Sequence, residues 1–488
     1  MTAPTTEPRA ERTATSAERF PRPEEIDYSC RRPLLFLFTC SVLWLIVSLV
    51  FAILTAVKMH APGMLADVAA LTYGRVAAIS SSTLLYGFLS QAGIGIGLWL
   101  FARNGRTFLV MPNGAVIGAI VWNIGILAGV LGIMAGGMNH YPAYEMPHWT
   151  TPFFFAAFVL LGLSGLLTFV ARNERELFPS TWFLFAAFFV FPWIMTVAYQ
   201  LLGRYDVRGT LEPIISTWFA NQFVMLWLAP IALAILFYFI PKLSAQPLYS
   251  RPLAIFAFWF YLLGATASGF QNYWALPAWM PVLSSVVNGL LAIPVLAILW
   301  NWYQTWKGHN KANKRKDLTS KYTVFAAVAF LVAGVFGAIL SCPAFDEVIG
   351  LTIFVQGAAM WTLYAFIGMA FFAAIYHIAP RLVEIDWPSP RLSSLHFGLT
   401  AAGIVLVTLA LVLGGIVQGN AINTPSVQYV STETIKGVSN RVVPFIGINS
   451  IGLIVLLVAQ FFLLANLAQM MKAACVACCG IGSREVAR

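Results

Sequence analysis

The chain has 488 residues, 59% of them hydrophobic and 10% charged, with a mean hydropathy of +0.79 and a formal net charge of +10. A soluble chain would carry about 25% charged residues, so this composition excludes a soluble enzyme and reads as an all-α polytopic membrane protein. A membrane helix needs about 20 mostly apolar residues. About twelve such runs occur in order, near 34–57, 77–102, 112–136, 151–171, 180–203, 217–240, 252–271, 279–303, 322–341, 351–379, 395–418 and 447–472. They define one membrane domain over 34–472, between a polar, flexible N-terminal tail (1–33) and a C-terminal tail (473–488). The first run is too long for a cleavable signal, and it follows a polar stretch rich in Arg and Glu.

Orientation follows from the basic residues. Of the 29 Lys and Arg, 23 lie in the segments on the side of the N-terminus and six in the loops opposite. Both tails are therefore expected in the cytoplasm. The positive charge is accounted for by orientation and by contact with anionic lipid, and nucleic acid is not expected as a partner. The basic segment Lys307–Lys321 reads as a solvated cytoplasmic loop.

The spans contain almost no Asp, Glu or Lys, which argues against a proton path. Their polar residues are Gln91, Asn123, Gln200, Asn221, Gln222, Asn288, Gln356, Gln460 and Asn466. Each reads as interhelical glue, worth about 0.6–2 kcal/mol. Of six cysteines, Cys475, Cys478 and Cys479 share a C-x-x-C spacing in the C-terminal tail without a second ligand pair. They read as inert or acylated juxtamembrane thiols. No C-x-x-C-H occurs, so c-type haem attachment is excluded in this chain. The six histidines fall at His60, His140, His148, His309, His377 and His396, nearly all in loops or at helix ends. His60, His140 and His148 share the external side, where a metal site is conceivable, but their spacing fixes no common point and solvated imidazoles are the simpler reading. His396 has no evident partner.

Several stretches carry a resemblance. They are Gly74-Arg75, Phe239-Ile-Pro-Lys242 through Tyr249-Ser-Arg251, Tyr273-Trp-Ala-Leu-Pro277-Ala-Trp279, and Tyr376-His-Ile-Ala-Pro380-Arg381-Leu382. Their order and spacing resemble the catalytic subunit I of the haem-copper oxidase superfamily, specifically the cbb(3)-type (C family) cytochrome c oxidases. The large subunit of nitric oxide reductase is a near relative. The resemblance spans roughly 34–472 and implies a twelve-helix subunit I bundle in a bacterial inner membrane, with haem b and copper in an active member.

Laid on that pattern, the ligand positions are not histidines. The low-spin haem position after Gly74 is Ser80. The copper position in the sixth span is Asn221, followed by Gln222, and the adjacent copper pair in the seventh is Gly269-Phe270. The His-x-His of the tenth span, which serves both faces of a helix because two residues turn about 200°, aligns with Phe354-Val-Gln356 to within a turn. Gly and Phe cannot ligate a metal, and a haem-copper centre needs converging imidazoles. Phe270 and Phe354 are expected to fill volume, and Ser80, Asn221 and Gln356 to cross-link helices.

The resemblance thus implies a ligand-less, non-catalytic subunit I paralogue, a pseudo-enzyme that scaffolds a respiratory electron-transport complex. Its partners would be other membrane subunits, c-type cytochrome subunits or a histidine-intact subunit I, with lipid or quinone. The alternatives are an active terminal oxidase or nitric oxide reductase with unusual haem ligation, and a secondary transporter. Internal repeats, expected of many transporters, are not visible.

Overall fold

The computed structural model describes residues 20–485 apart from 206, 208, 271–275, 308–317 and 424–431, and excludes the side chains of 432–435 and 475–485. Thus His309, the Tyr273-Trp274 pair and the cysteines of the C-terminal tail lie outside the described side chains. Among the described residues the fold is helical, with one isolated β-bridge between Tyr141 and Tyr144. Twelve apolar helices follow in order: α1 (Pro23–His60), α2 (Tyr73–Gly105), α3 (Pro112–Met134), α4 (His148–Val170), α5 (Pro179–Arg204), α6 (Leu211–Ser244), α7 (Arg251–Thr266), α8 (Trp279–Lys307), α9 (Leu318–Ser341), α10 (Ile353–Val383), α11 (Pro390–Ile422) and α12 (Lys436–Ala474).

Eleven of these are long and apolar enough to cross a membrane. The exception is α7, expected to run over 252–271, which stops after 16 residues. The chain then turns at Gly269, whose φ is +106°, a conformation an L side chain resists.

Both tails are shorter than the hydropathy suggested. The N-terminal polar stretch is helical from Pro23. Proline suits the first helical position, Glu24 and Glu25 favour the helix N-terminus, and Glu25 accepts a hydrogen bond from the Arg22 backbone N–H at 2.9 Å. Asp27 is buried there because the Trp99 indole N–H donates to it at 2.8 Å and Arg103 stands 3.4 Å away. At the other end the last helix, Thr432–Glu485, continues through the expected tail.

The centre of the bundle is made by three helices. Buried residues form 100% of the apolar stretch of α2, 83% of α6 and 72% of α10, against 28% of α8 and 22% of α9. Around this centre α1 packs on α2, α3 and α12, and α12 lies along α11, closing first helix on last. Each central helix loosens into a π-helical stretch: Thr83–Ser90, Phe223–Leu228 and Trp361–Gly368. Such insertions re-aim side chains and recur at functional sites.

The turn residues quoted in the sequence have local roles. Ser250 caps α7 by accepting from the Leu253 N–H, and the Asn301 amide bonds both its backbone N–H and its carbonyl. Arg75 donates to the Ala69 and Met134 carbonyls, tying the 61–72 loop to the end of α3.

Most interhelical polar residues act as expected. The Asn123 amide donates to Gln91 Oε1 at 2.8 Å and its Oδ1 accepts from the Trp44 indole. Asn466 bonds the Ser389 backbone and the Ser393 hydroxyl. Gln356 does not: it lies on the exposed face of α10 and cross-links no helices among the described residues, and the buried Gln200 Oε1 likewise has no hydrogen-bond partner there.

Candidate functional site

The three positions aligned with copper ligands meet in space. Asn221, on α6 just before the π-helical stretch, donates from Nδ2 to Ser268 Oγ at 2.8 Å. Its neighbour Gln222 is fully buried and donates to the Ser268 carbonyl at 3.2 Å. The backbone N–H groups of Gly269 and Phe270 both donate to Ser284 Oγ of α8 at 3.1 Å. A Cβ at Gly269 would stand 2.8 Å from that of Asn221. Close approach and positive φ together require glycine there, and polar groups of α6 and α8 tie down the end of α7.

Beside this cluster is an apolar cavity of about 280 Å³ between α6, α7, α8, α9 and α10. Its polar lining comes from Asn221, Tyr261, Asn288 and Thr362. Tyr261 donates its hydroxyl to the Met225 carbonyl at 2.8 Å, and Thr362 bonds back to Ala358 at 3.0 Å. Neither Phe270 nor Phe354 lines the cavity. Phe354 is instead buried between Phe336 and the close-packed Gly415 of α11.

Ser80, which aligns with the low-spin haem position, lies against α1. Its carbonyl accepts from Ser48 Oγ of α1 at 2.8 Å. Further along, Gly87 lets α1 approach so closely that an added Cβ would stand 2.6 Å from that of Trp44. Outside the membrane-spanning segments, half-buried Glu145 of the 135–147 loop reaches back to α2. The Ser82 hydroxyl donates to its carboxylate at 3.0 Å. Burial pushes the Glu145 carboxyl up to about 7, opposed by hydrogen bonds from Ser81 and Ser82.

The described histidines do not converge. His140 and His148 are exposed, and His60 pairs with Ser450 at 3.2 Å. His396, for which sequence suggested no partner, is fully buried and satisfied on both nitrogens. The Gln460 amide N–H donates to the Leu456 carbonyl, so its Oε1 faces the imidazole and accepts from Nε2–H at 3.2 Å. Nδ1 is then the acceptor for the Tyr322 hydroxyl at 2.6 Å, with the Tyr376 hydroxyl 3.1 Å away. This network joins α9, α10, α11 and α12, and buried polar groups satisfied in this way fix one arrangement of a core.

Among the described residues no group of three or more His, Cys, Asp or Glu comes together. The cavity offers amides, two committed hydroxyls and one thioether but no imidazole, whereas the copper of these centres needs several imidazoles converging on one point. The donor set does not fit a haem-copper centre.

Comparison with known proteins places the scaffold. The chain is similar to the bacteroid cytochrome c oxidase subunit 1 homolog of Bradyrhizobium diazoefficiens, with 23% identity over 79% of this chain and 72% of that one. It is similar to the cbb3-type cytochrome c oxidase subunit CcoN1 of Stutzerimonas stutzeri, at 23% identity over 78% and 82% of the two chains. A cryo-EM structure of a heme-copper terminal oxidase dimer shares the fold, with a TM-score of 0.70 at 17% identity, covering 90% of this chain and 84% of that one. The family model for cytochrome c and quinol oxidase polypeptide I matches residues 32–455, and the chain belongs to that family.

Proposed function

We propose that this subunit I-like membrane protein binds neither haem nor copper and serves as a structural or assembly subunit of a respiratory electron-transport complex in a bacterial inner membrane, with both termini in the cytoplasm. The observation that carries this reading is the cluster at the copper positions. Asn221, Gly269 and Phe270 are adjacent, yet they are tied by hydrogen bonds to Ser268 and Ser284, and Gly269 has no room for a side chain. The sparsely covered faces of α8 and α9 supply apolar surface for neighbouring subunits or lipid. Partners of the expected kind are c-type cytochrome subunits or a histidine-bearing subunit I.

The test is a reduced-minus-oxidised haem spectrum with copper quantified on the chain purified away from its partners, alongside identification of what it brings down from native membranes. The expected result is neither cofactor in stoichiometric amount and co-purification of oxidase subunits. Stoichiometric haem in the isolated chain would overturn the reading and direct attention to substitute ligands.

A further inference from the structure

Two sequence segments that carried the resemblance, Phe239–Lys242 and Tyr376–Leu382, are 135 residues apart but meet at the bundle face that bears the start of α1. The Lys242 ammonium donates to the Tyr238 hydroxyl at 2.7 Å and stands 3.4 Å from His377 Nε2. His377 packs edge-on against Phe239 and Trp99, and Trp99 is also edge-on to Tyr238. Arg103 lies over the Trp99 ring and donates to the Pro23 carbonyl at 2.7 Å. Arg381 follows His377 by one helical turn on α10, which puts the two side chains on one face of the helix.

Three cations therefore end the three central helices, Arg103 on α2, Lys242 on α6 and Arg381 on α10. Among the described residues, the carboxylate paired with one of them is Asp27. It is buried and already engaged by Trp99 and Arg103. Lys242 has aromatic and imidazole neighbours rather than an acid, and exposed Arg381 has no hydrogen bond or ion pair among the described residues. Like charges held together without anions repel. Among the described residues the arrangement leaves two positive charges without an ion-pair partner beside an aromatic floor, on the most deeply buried helices of the bundle.

We propose that Arg103, Lys242 and Arg381 form a binding site for a phosphate group. A guanidinium fork and a lysine point charge suit the oxygens of a phosphate, through charge-assisted hydrogen bonds. Such a group comes either from the headgroup of an anionic phospholipid or from free phosphate. Position favours the lipid: the site lies at a rim of the membrane domain, where the exposed ends of Lys242 and Arg381 reach headgroup level.

The experiment is native mass spectrometry and thermal unfolding of the full chain, titrated with phosphatidylglycerol, phosphatidylcholine or inorganic phosphate. Wild type is compared with Arg381→Gln, with Lys242→Gln/Arg381→Gln, and with Arg391→Gln, an exposed arginine elsewhere. The expected result is retention of phosphatidylglycerol over phosphatidylcholine. Affinity should fall about tenfold in Arg381→Gln, as loss of a charge-assisted bond implies, and further in the double variant, with Arg391→Gln unaffected. Stabilisation of wild type by inorganic phosphate, lost in the Arg381 variants, would assign the same site to free phosphate. Equal binding of every ligand by wild type and Arg381→Gln would overturn the proposal. Because Arg381 is exposed and makes no hydrogen bond within the described chain, its single variant tests binding without threatening the fold.

Discussion

The two regions aligned with cofactors are closed by opposite means. Along the seam that carries Ser80 the helices touch directly, with a serine hydroxyl bonded to the Ser80 carbonyl and, seven residues on, Gly87 of α2 against Trp44 of α1. Around Asn221 the helices stay apart. There the backbone of α7 unwinds, a glycine at positive φ abuts Asn221, and a void of about 280 Å³ persists. The same bundle thus joins its helices in two ways, by direct contact and around a local turn. The second way leaves a partly open apolar pocket between the helices.

The largest expected effect comes from restoring a copper ligand where the backbone forbids it. Gly269→His should destabilise the chain by about 3 kcal/mol or more, from strain at positive φ and overlap with Asn221. It should bind no copper. Thermal unfolding with metal analysis checks this, and stoichiometric copper in a folded variant would contradict the geometry. On the tightly closed side, Gly87→Ala should cost about 1–3 kcal/mol, because the new methyl has only Trp44 to displace. An unchanged melting temperature would mean that α1 and α2 are not in fact so close.

Glu145 sharpens the same side through pH. Its carboxyl is raised from an ordinary value of 4.5 to about 7 by burial. The folded state therefore holds a proton that the unfolded chain has released between these values. Stability should be highest below pH 4.5 and fall as pH rises towards 7. Glu145→Gln should flatten that slope and melt above wild type at pH 8, the two converging in acid; parallel curves would remove the carboxyl as the cause. The smallest effect is expected on the open side. A side chain at Gly337, which lines the void and has nothing within 4 Å of an added Cβ, should be tolerated. Gly337→Ala should gain about 1 kcal/mol, the helix-propensity difference, and a loss of stability would show that the void is structurally required.

Much of this was legible in the sequence. Apolar run length located eleven spans and the shorter α7, and two positions singled out by motif spacing, Asn221 and Gly269, stand side by side. What was not legible depended on distant partners. Asp27 is helical and buried only because Trp99 and Arg103, over 70 residues away, receive it, so a polar run was mistaken for tail. His396 looked solitary because Tyr322, Tyr376 and Gln460 come from three other helices. The end of α7 was missed because hydropathy cannot register a left-handed turn. Gln356 was expected to bridge helices, but composition alone does not say which face of α10 looks outward.

The contact between α1 and α12 also bears on how the protein is made. During synthesis α1 emerges among the first residues, yet part of the surface that covers it is supplied by a helix more than 400 positions later. Until α12 is inserted, that face of α1 must be held by lipid or by an assembly factor, and closure pairs the two ends of the membrane domain. Native contacts so far apart in the chain form late and expose intermediates. A truncation that removes α12 should therefore leave an otherwise inserted chain open along one side and vulnerable to membrane proteases.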